Sequence, residues 1–328
     1  METTPAHPTP RRSRMRRKSN GTRVELTLRD IEIFRLLERY RYLRSTFIHA
    51  FVGGDKTKLI ERLGHLFHEG RYIDRPSDQW ERIDGRCQPA VYEIDRRGQG
   101  VLRERGLLDD TKPAGRHRGA QRQFAHTLMV CDIVASIELA TRQTPGVRFI
   151  PWTEILARAP ERTRQSPAPM RLPVSISYPT SQNGAHQAIE VKLTPDAVFG
   201  LEYTVAGAKS YRFFALEADR ATMPVSRSTL RVSSYLRKIL AYRQATAREM
   251  HKTHYGIPNL LVLTATVSDG HMRGIMRLLD EIAGASTLFL FKTAATFGTI
   301  GITPLPSPEM LTQPWERVGC SPLIIGQV

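Results

Sequence analysis

At 328 residues the chain is long enough for two domains, each with its own core. Its 41% hydrophobic and 24% charged content is ordinary globular composition, which excludes collagen-like, disulfide-scaffold and low-complexity classes. With 48 Lys+Arg against 32 Asp+Glu the formal charge is +16, and a polyanion is the expected partner. DNA or RNA comes first, with an acidic protein or a membrane surface as the alternatives; the elements that follow narrow the expectation to double-stranded DNA.

Cys87, Cys131 and Cys320 are far apart and suggest neither a zinc site nor a disulfide framework. A reducing cytoplasm is the expected setting. No apolar run approaches the about 20 residues of a membrane helix, so no membrane partner is expected.

Residues 1–23 carry Arg11, Arg12, Arg14, Arg16, Arg17, Lys18 and Arg23 with almost nothing apolar between them. This basic arm is expected to be disordered, with Arg16 and Arg17 available to phosphates. From residue 24 to 108 the pattern is that of a folded domain. Thr27 with Asp30 makes a capping box for a first helix whose apolar positions are Ile31, Phe34 and Leu37. Ser45 opens a short second helix that stops at Gly53-Gly54. Asp55 caps a third helix, Lys56 to Glu69, closed by Gly70 in the left-handed position after its end.

Leu59, Leu63, Leu66 and Phe67 are the inner face of that third helix. Lys58, Arg62 and His65 are its outer face, with Lys56 at its start. Two strands, Tyr72-Ile73 and Val91–Ile94, enclose a long charged loop from which Arg71, Arg75, Arg82 and Arg86 could reach phosphate or a minor groove. A helix from Arg96 to Leu107 closes the domain. Helix, helix, helix, strand, strand, helix is the order of a winged helix-turn-helix, which would read DNA through Lys58, Arg62 and His65. Residues 109–120 are a polar, basic linker.

The second domain, 121–328, opens with a long helix to about Arg142, in which His126 reads as a packed residue. Val147–Ile150 is a strand. Residues 158–187, rich in Pro, Ser, Arg and Gln, read as an inserted or poorly ordered loop. Ala188–Leu193 extends toward the next strand, Ala197–Leu201. Gly207 fits a hairpin into Tyr211–Leu216. Ser226 to His251 is a long basic helix, Ile257–Thr266 a buried strand, Ser268–Ala283 a helix and Thr287–Phe291 a last strand. The Pro-rich end is irregular.

Pro195-Asp196 and Glu217-Ala218-Asp219-Arg220 lie at the ends of neighbouring strands. Alternation puts Glu217 and Asp219 on one face, and the hairpin brings Asp196 beside them. Three carboxylates so placed repel one another and need a cation, a proton or an arginine. Salt bridges to Arg220, Arg237 or Lys238 would meet that need, and so would a metal ion. Tyr242 reads as a packing residue.

The αβββαβ order with these acids resembles the restriction-endonuclease-like, or PD-(D/E)XK, fold. The overall class is therefore α/β in the α+β sense: a winged helix-turn-helix, then a nuclease-fold domain. The resemblance implies Asp196, Glu217 and Asp219 as Mg²⁺ ligands and Lys238 as the basic catalytic group. The lysine usual at position 219 is an aspartate here, so Lys238 would have to supply that charge from the following helix.

The whole chain, over about 25–292, resembles the replication-relaxation family of bacterial plasmids and mobile elements. The resemblance is carried by His126-x-Leu128-x-x-x-Asp132, Phe213-Phe214-Ala215-Leu216-Glu217-Ala218-Asp219-Arg220-Ala221-Thr222 and Lys238-Ile239-Leu240-Ala241-Tyr242. It implies DNA binding in plasmid replication or mobilisation, with replication or mobilisation proteins and a second copy of the chain as candidate partners. An active Mg²⁺-dependent nickase and a transcriptional autoregulator are the alternative expectations.

Overall fold

A computed structural model describes residues 12–80, 88–108, 121–179, 186–227, 230, 232–297 and 302–328. The chain divides into two units, Met1–Gln121 and Arg122–Val328. The expected linker, residues 109–120, and the loop arginines Arg82 and Arg86 lie outside the described residues.

The first unit holds α1 (Leu28–Tyr40), β1 (Leu43–Arg44), α2 (Ser45–Val52), α3 (Lys56–His68), β2 (Ile73–Asp74), a 3-10 turn (Ser77–Trp80), β3 (Val91–Ile94) and α4 (Arg96–Glu104). Thr27 caps α1, and the reciprocal Thr27–Asp30 capping box is formed. Asp55 caps α3 through the Lys58 N–H at 2.7 Å. The three helices bury Phe34, Leu37, Phe47, Ile48, Leu59, Leu63 and Leu66. A small antiparallel sheet in the order β1-β3-β2 closes the unit, with Leu43 opposite Tyr92 and Ile73 opposite Ile94.

Two expectations change here. Arg71, not Gly70, takes the left-handed conformation after α3, with φ 52°. Gly70 is needed for space instead: a Cβ there would lie 2.3 Å from the Tyr72 ring. The arm also makes specific contacts from Arg12 onward, where disorder was expected. Arg12 pairs with Glu69 at 2.6 Å, and Arg17 pairs with Asp95 at 2.7 Å and Asp74 at 3.1 Å. Glu69, Asp74 and Asp95 give an otherwise solvated basic segment a place to lie.

The second unit begins within α5 (Gln121–Thr141) and continues with β4 (Val147–Ile150), α6 (Trp152–Arg158), α7 (Glu161–Arg164), β5 (Leu172–Pro179), β6 (His186–Leu193), β7 (Ala197–Val205) and β8 (Ala208–Asp219). It goes on through α8 (Tyr235–Ala247), α9 (Met250–Thr253), β9 (Leu261–Thr266), α10 (Asp269–Ala283), β10 (Phe289–Thr293), α11 (Glu309–Thr312), β11 (Trp315–Arg317) and β12 (Cys320–Leu323). Seven strands form one sheet in the order β12-β11-β10-β9-β8-β7-β4. β8, β9 and β10 are parallel neighbours, and the remaining pairs are antiparallel.

The β7–β8 hairpin turns on Ala206 and Gly207, both with positive φ. That two-residue geometry matches the right-handed twist of the flanking strands. Val198, Phe213, Ala215, Val262, Phe289 and Phe291 share a core with α8 and α10. The alternate residues Phe199, Leu201, Phe214, Leu216, Leu263 and Leu290 are buried on the other side of the sheet.

The expected loop at 158–187 contains α7 and β5. β5 pairs with β6 along eight residues as a separate two-stranded sheet, so Ala188–Leu193 does not extend β7. Leu172, Val174 and Ile176 are buried on one face, a period-2 pattern that outweighs the flanking prolines. The Pro-rich end also gains strands β11 and β12, anchored by the buried Trp315. α5 ends at Thr141, close to the expected Arg142. Its Phe124–Thr141 segment could cross a membrane by length and composition, but 67% of it is buried inside the unit, as in a core helix.

Candidate functional site

The strongest concentration of ionisable groups lies where β8 ends beside the start of β7. Phe213, Ala215, Glu217 and Asp219 fall on one face of β8 by alternation. That face is apolar at its start and acidic at its end, where α8 and α10 cover it. Asp196 precedes β7; its N–H donates to Leu216 O at 3.0 Å, and its Oδ2 accepts from Ala218 N–H at 2.9 Å. The structure thus brings Asp196 beside Glu217, with Asp219 two residues further along the strand.

Each carboxylate faces a side chain from a different helix. Lys238, in the first turn of α8, donates from Nζ to Glu217 Oε2. Tyr242, one turn further on, donates from its hydroxyl to Glu217 Oε1 at 2.5 Å. His126 of α5 places Nε2 at 3.0 Å from Asp196 Oδ1. His271 of α10 places Nε2 at 2.7 Å from Asp219 Oδ2.

Glu217 is 2% exposed and Lys238 22% exposed at the side chain, so the pair is closed on the acid side and open on the ammonium side. Burial pushes Glu217 above the usual carboxylate range, and the Lys238 ammonium pulls against it. Burial also opposes the charge on Lys238, yet Glu217 and Asp196 hold it at about 12. The contact between Lys238 Nζ and Glu217 Oε2 joins the two. For Asp196, burial is outweighed by the His126 hydrogen bond and the nearby Lys238 charge, and its pKa falls. The same hydrogen bond raises His126. Tyr235, buried beside the cluster, is held well above its ordinary value by burial and then by the charges of Asp219, Glu217 and Asp196.

This arrangement answers what the residues could hold. Both Glu217 oxygens and both Asp196 oxygens accept hydrogen bonds. Asp219 Oδ1 accepts from Thr222 N–H at 3.4 Å, while its buried Oδ2 faces His271 Nε2 without a hydrogen bond among the described residues. Mg²⁺ prefers several free oxygen ligands in an octahedral shell. Among the described residues, no group of three or more His, Cys, Asp or Glu side chains is set to hold a metal ion. The donor set does not fit the expected Asp196, Glu217, Asp219 metal site. Lys238 supplies the counter-charge from within the chain.

Several assignments shift as a result. Lys238 does meet Glu217, as a migrated lysine should. Tyr242 is a hydrogen-bond donor to Glu217 and not only a packing residue. His126 is a partner of Asp196 and not a core histidine, because the residue just before β7 presents a carboxylate to it. His271 was not foreseen as a partner of Asp219. Its only local signal is its place in the first turn of α10, after the Ser268 cap.

In the first unit the basic residues divide into two sets. Arg62, expected on the outer face of α3, instead points at buried Asp30. Its Nε and Nη2 donate to the carboxylate at 3.0 and 2.6 Å, and Nη2 also donates to Glu25 O. Arg75 is likewise inward, stacked 4.3 Å over the Phe67 ring and donating to Tyr92 Oη and Arg14 O. Arg17 is held by Asp74 and Asp95. The second set, Arg16, Lys56, Lys58, His65 and Arg71, is exposed.

The molecule is thus a two-unit mixed α/β protein, with an exposed cationic helix in one unit and, at the strand ends of the other, an acidic cluster faced by Lys238, His126 and His271. The replication-relaxation family model matches residues 34–261, and the chain belongs to that family. Membership places it among proteins of plasmid or mobile-element replication or mobilisation. No match was found among curated proteins or solved structures.

Proposed function

We propose that the protein is a DNA-binding component of plasmid or mobile-element replication or mobilisation. Its first unit acts as a winged helix-turn-helix, and its second is a nuclease-fold scaffold that holds DNA or partner proteins without cleaving. The observation that carries the DNA reading is the exposed, cation-bearing face of α3, with Lys56, Lys58 and His65 turned outward. The order of helices and small antiparallel strands around it is what such a module uses to lay one helix in a major groove. The net charge of +16 supports the same reading.

The second unit supports a binding role because its carboxylates already have partners. Phosphodiester cleavage of the expected kind needs a metal to polarise the phosphoryl oxygen. A second copy of the chain and other replication or mobilisation proteins are candidate partners of this scaffold.

Equilibrium titration of duplex DNA against the full chain tests the reading. Log K should fall linearly with log salt, with a slope of about −0.9 per phosphate neutralised. Replacing Lys56 and Lys58 by alanine should make the slope less negative by about 2, one for each phosphate contact. Absence of salt-dependent DNA binding would refute the assignment.

A further inference from the structure

Four residues on the outer side of α3 remain without a structural task. Thr57, Ile60, Glu61 and Gly64 stand at spacings of three, four and seven, so they form one strip along the helix. Thr57 and Glu61 are exposed, and Ile60 is 42% exposed, a large apolar side chain facing outward. Gly64 is the least expected of the four. A glycine inside a helix weakens it relative to alanine. It survives where something else approaches the backbone closely. A Cβ at Gly64 would meet nothing within 4 Å in the chain itself, so no internal neighbour requires the glycine. The glycine leaves the helix backbone open to close approach from outside.

Glu61 adds chemistry to that space. It lies between Lys58 and His65 on the exposed side, in a protein whose charge favours DNA. A carboxylate set against phosphates would only repel. It is tolerated at a DNA surface where it accepts a hydrogen bond from a base amino group, and Glu accepts from cytosine N4 in the major groove. Ile60 offers an apolar contact of the kind that meets a thymine methyl. Arg62, the residue whose type most often reads guanine, is withdrawn to Asp30.

We infer that the Thr57-Ile60-Glu61-Gly64 strip reads bases in the major groove, with Glu61 selecting a cytosine and Gly64 giving the groove its close approach. Lys56, Lys58 and His65 flank the strip and meet phosphates. The inference rests on the DNA-binding reading above and deepens it by naming what is read.

The test is enrichment of a randomised duplex library by the full chain and by Glu61→Gln, with Gly64→Leu as a second variant. The wild type is expected to enrich a motif containing a cytosine that it prefers by about tenfold over other bases. Glu61→Gln should lose that preference at one position and keep the rest of the motif. Gly64→Leu should keep or raise the melting temperature while weakening binding to the enriched site at least about tenfold. An unchanged motif for Glu61→Gln, or full affinity in Gly64→Leu, overturns the inference. Wild-type binding that enriches no motif also overturns it but leaves non-specific DNA binding standing. Failure of the wild type to bind any duplex refutes the underlying DNA reading as well.

Discussion

Replacing Lys238 by methionine isolates the role of the internal cation. The substitution keeps the length and most of the packing of the side chain but removes the ammonium that faces Glu217. Glu217 is then left 2% exposed, with the Tyr242 hydroxyl as its remaining side-chain donor. Removing one partner of a buried pair costs about 3–5 kcal/mol, because an uncompensated charge stays behind. Two features favour the low end. Lys238 is 22% exposed, so part of its charge is already screened by water. Burial also favours a proton on Glu217, which can neutralise itself once the ammonium is gone. The expected loss is therefore about 3 kcal/mol, seen as a lower midpoint in urea denaturation of the full chain.

The double variant Lys238→Met with Glu217→Gln should recover a large part of that loss, since no charge is left buried. Mg²⁺ or Mn²⁺ should not shift the wild-type midpoint, because the cation position is already filled. A loss below about 1 kcal/mol in Lys238→Met, or a clear rise of the wild-type midpoint with either metal, would refute the reasoning.

Arg62→Ala should destabilise the first unit by about 2 kcal/mol, since it strips buried Asp30 of a bidentate partner, and a denaturation midpoint reads this directly. In the fraction that remains folded, the enriched DNA motif should be that of the wild type. The docked arm should respond to acid through His68, whose Nδ1 accepts the Lys18 N–H at 3.1 Å. Burial, and then the charges of Arg75 and Arg12, hold His68 near 4, below its ordinary value of 6.5. The unfolded chain takes up this proton more readily, so stability is full above pH 6.5 and falls as pH drops toward 4. Melting curves across that window should show the fall in the wild type and a flatter response in His68→Asn, which keeps an acceptor that does not titrate.

The parts of the fold legible in the sequence are those with local physical causes. Thr27 with Asp30, and Asp55 before Lys56, mark helix starts because a cap is a short-range hydrogen bond. Gly207 marks the hairpin because positive φ is needed there. The Glu217–Asp219 spacing puts two acids on one face because strands alternate. The acidic half of the candidate site could therefore be read from the sequence.

Lys238 is named through the family resemblance, but the other partners could not be read, because they come from distant segments. Arg62 reaches Asp30 across 32 residues, and His126 reaches Asp196 across 70. Helical spacing alone places Arg62 beside Lys58 and His65. The hint to the contrary is its position next to Leu59 and Leu63, at the edge of the apolar stripe. β5 was obscured by Pro173 and Pro179, although Leu172, Val174 and Ile176 carry the strand period. β11 and β12 are three and four residues long, too short for a pattern to stand out.

The central claim is that the protein binds DNA and that its acidic cluster is neutralised from within. Supercoiled plasmid incubated with the full chain and Mg²⁺ or Mn²⁺ tests it most directly, with band retardation and plasmid topology read from the same samples. The account predicts retarded plasmid that stays covalently closed, for the wild type and for Glu217→Ala alike. Nicked or linear plasmid that appears with the wild type and disappears with Glu217→Ala would contradict it.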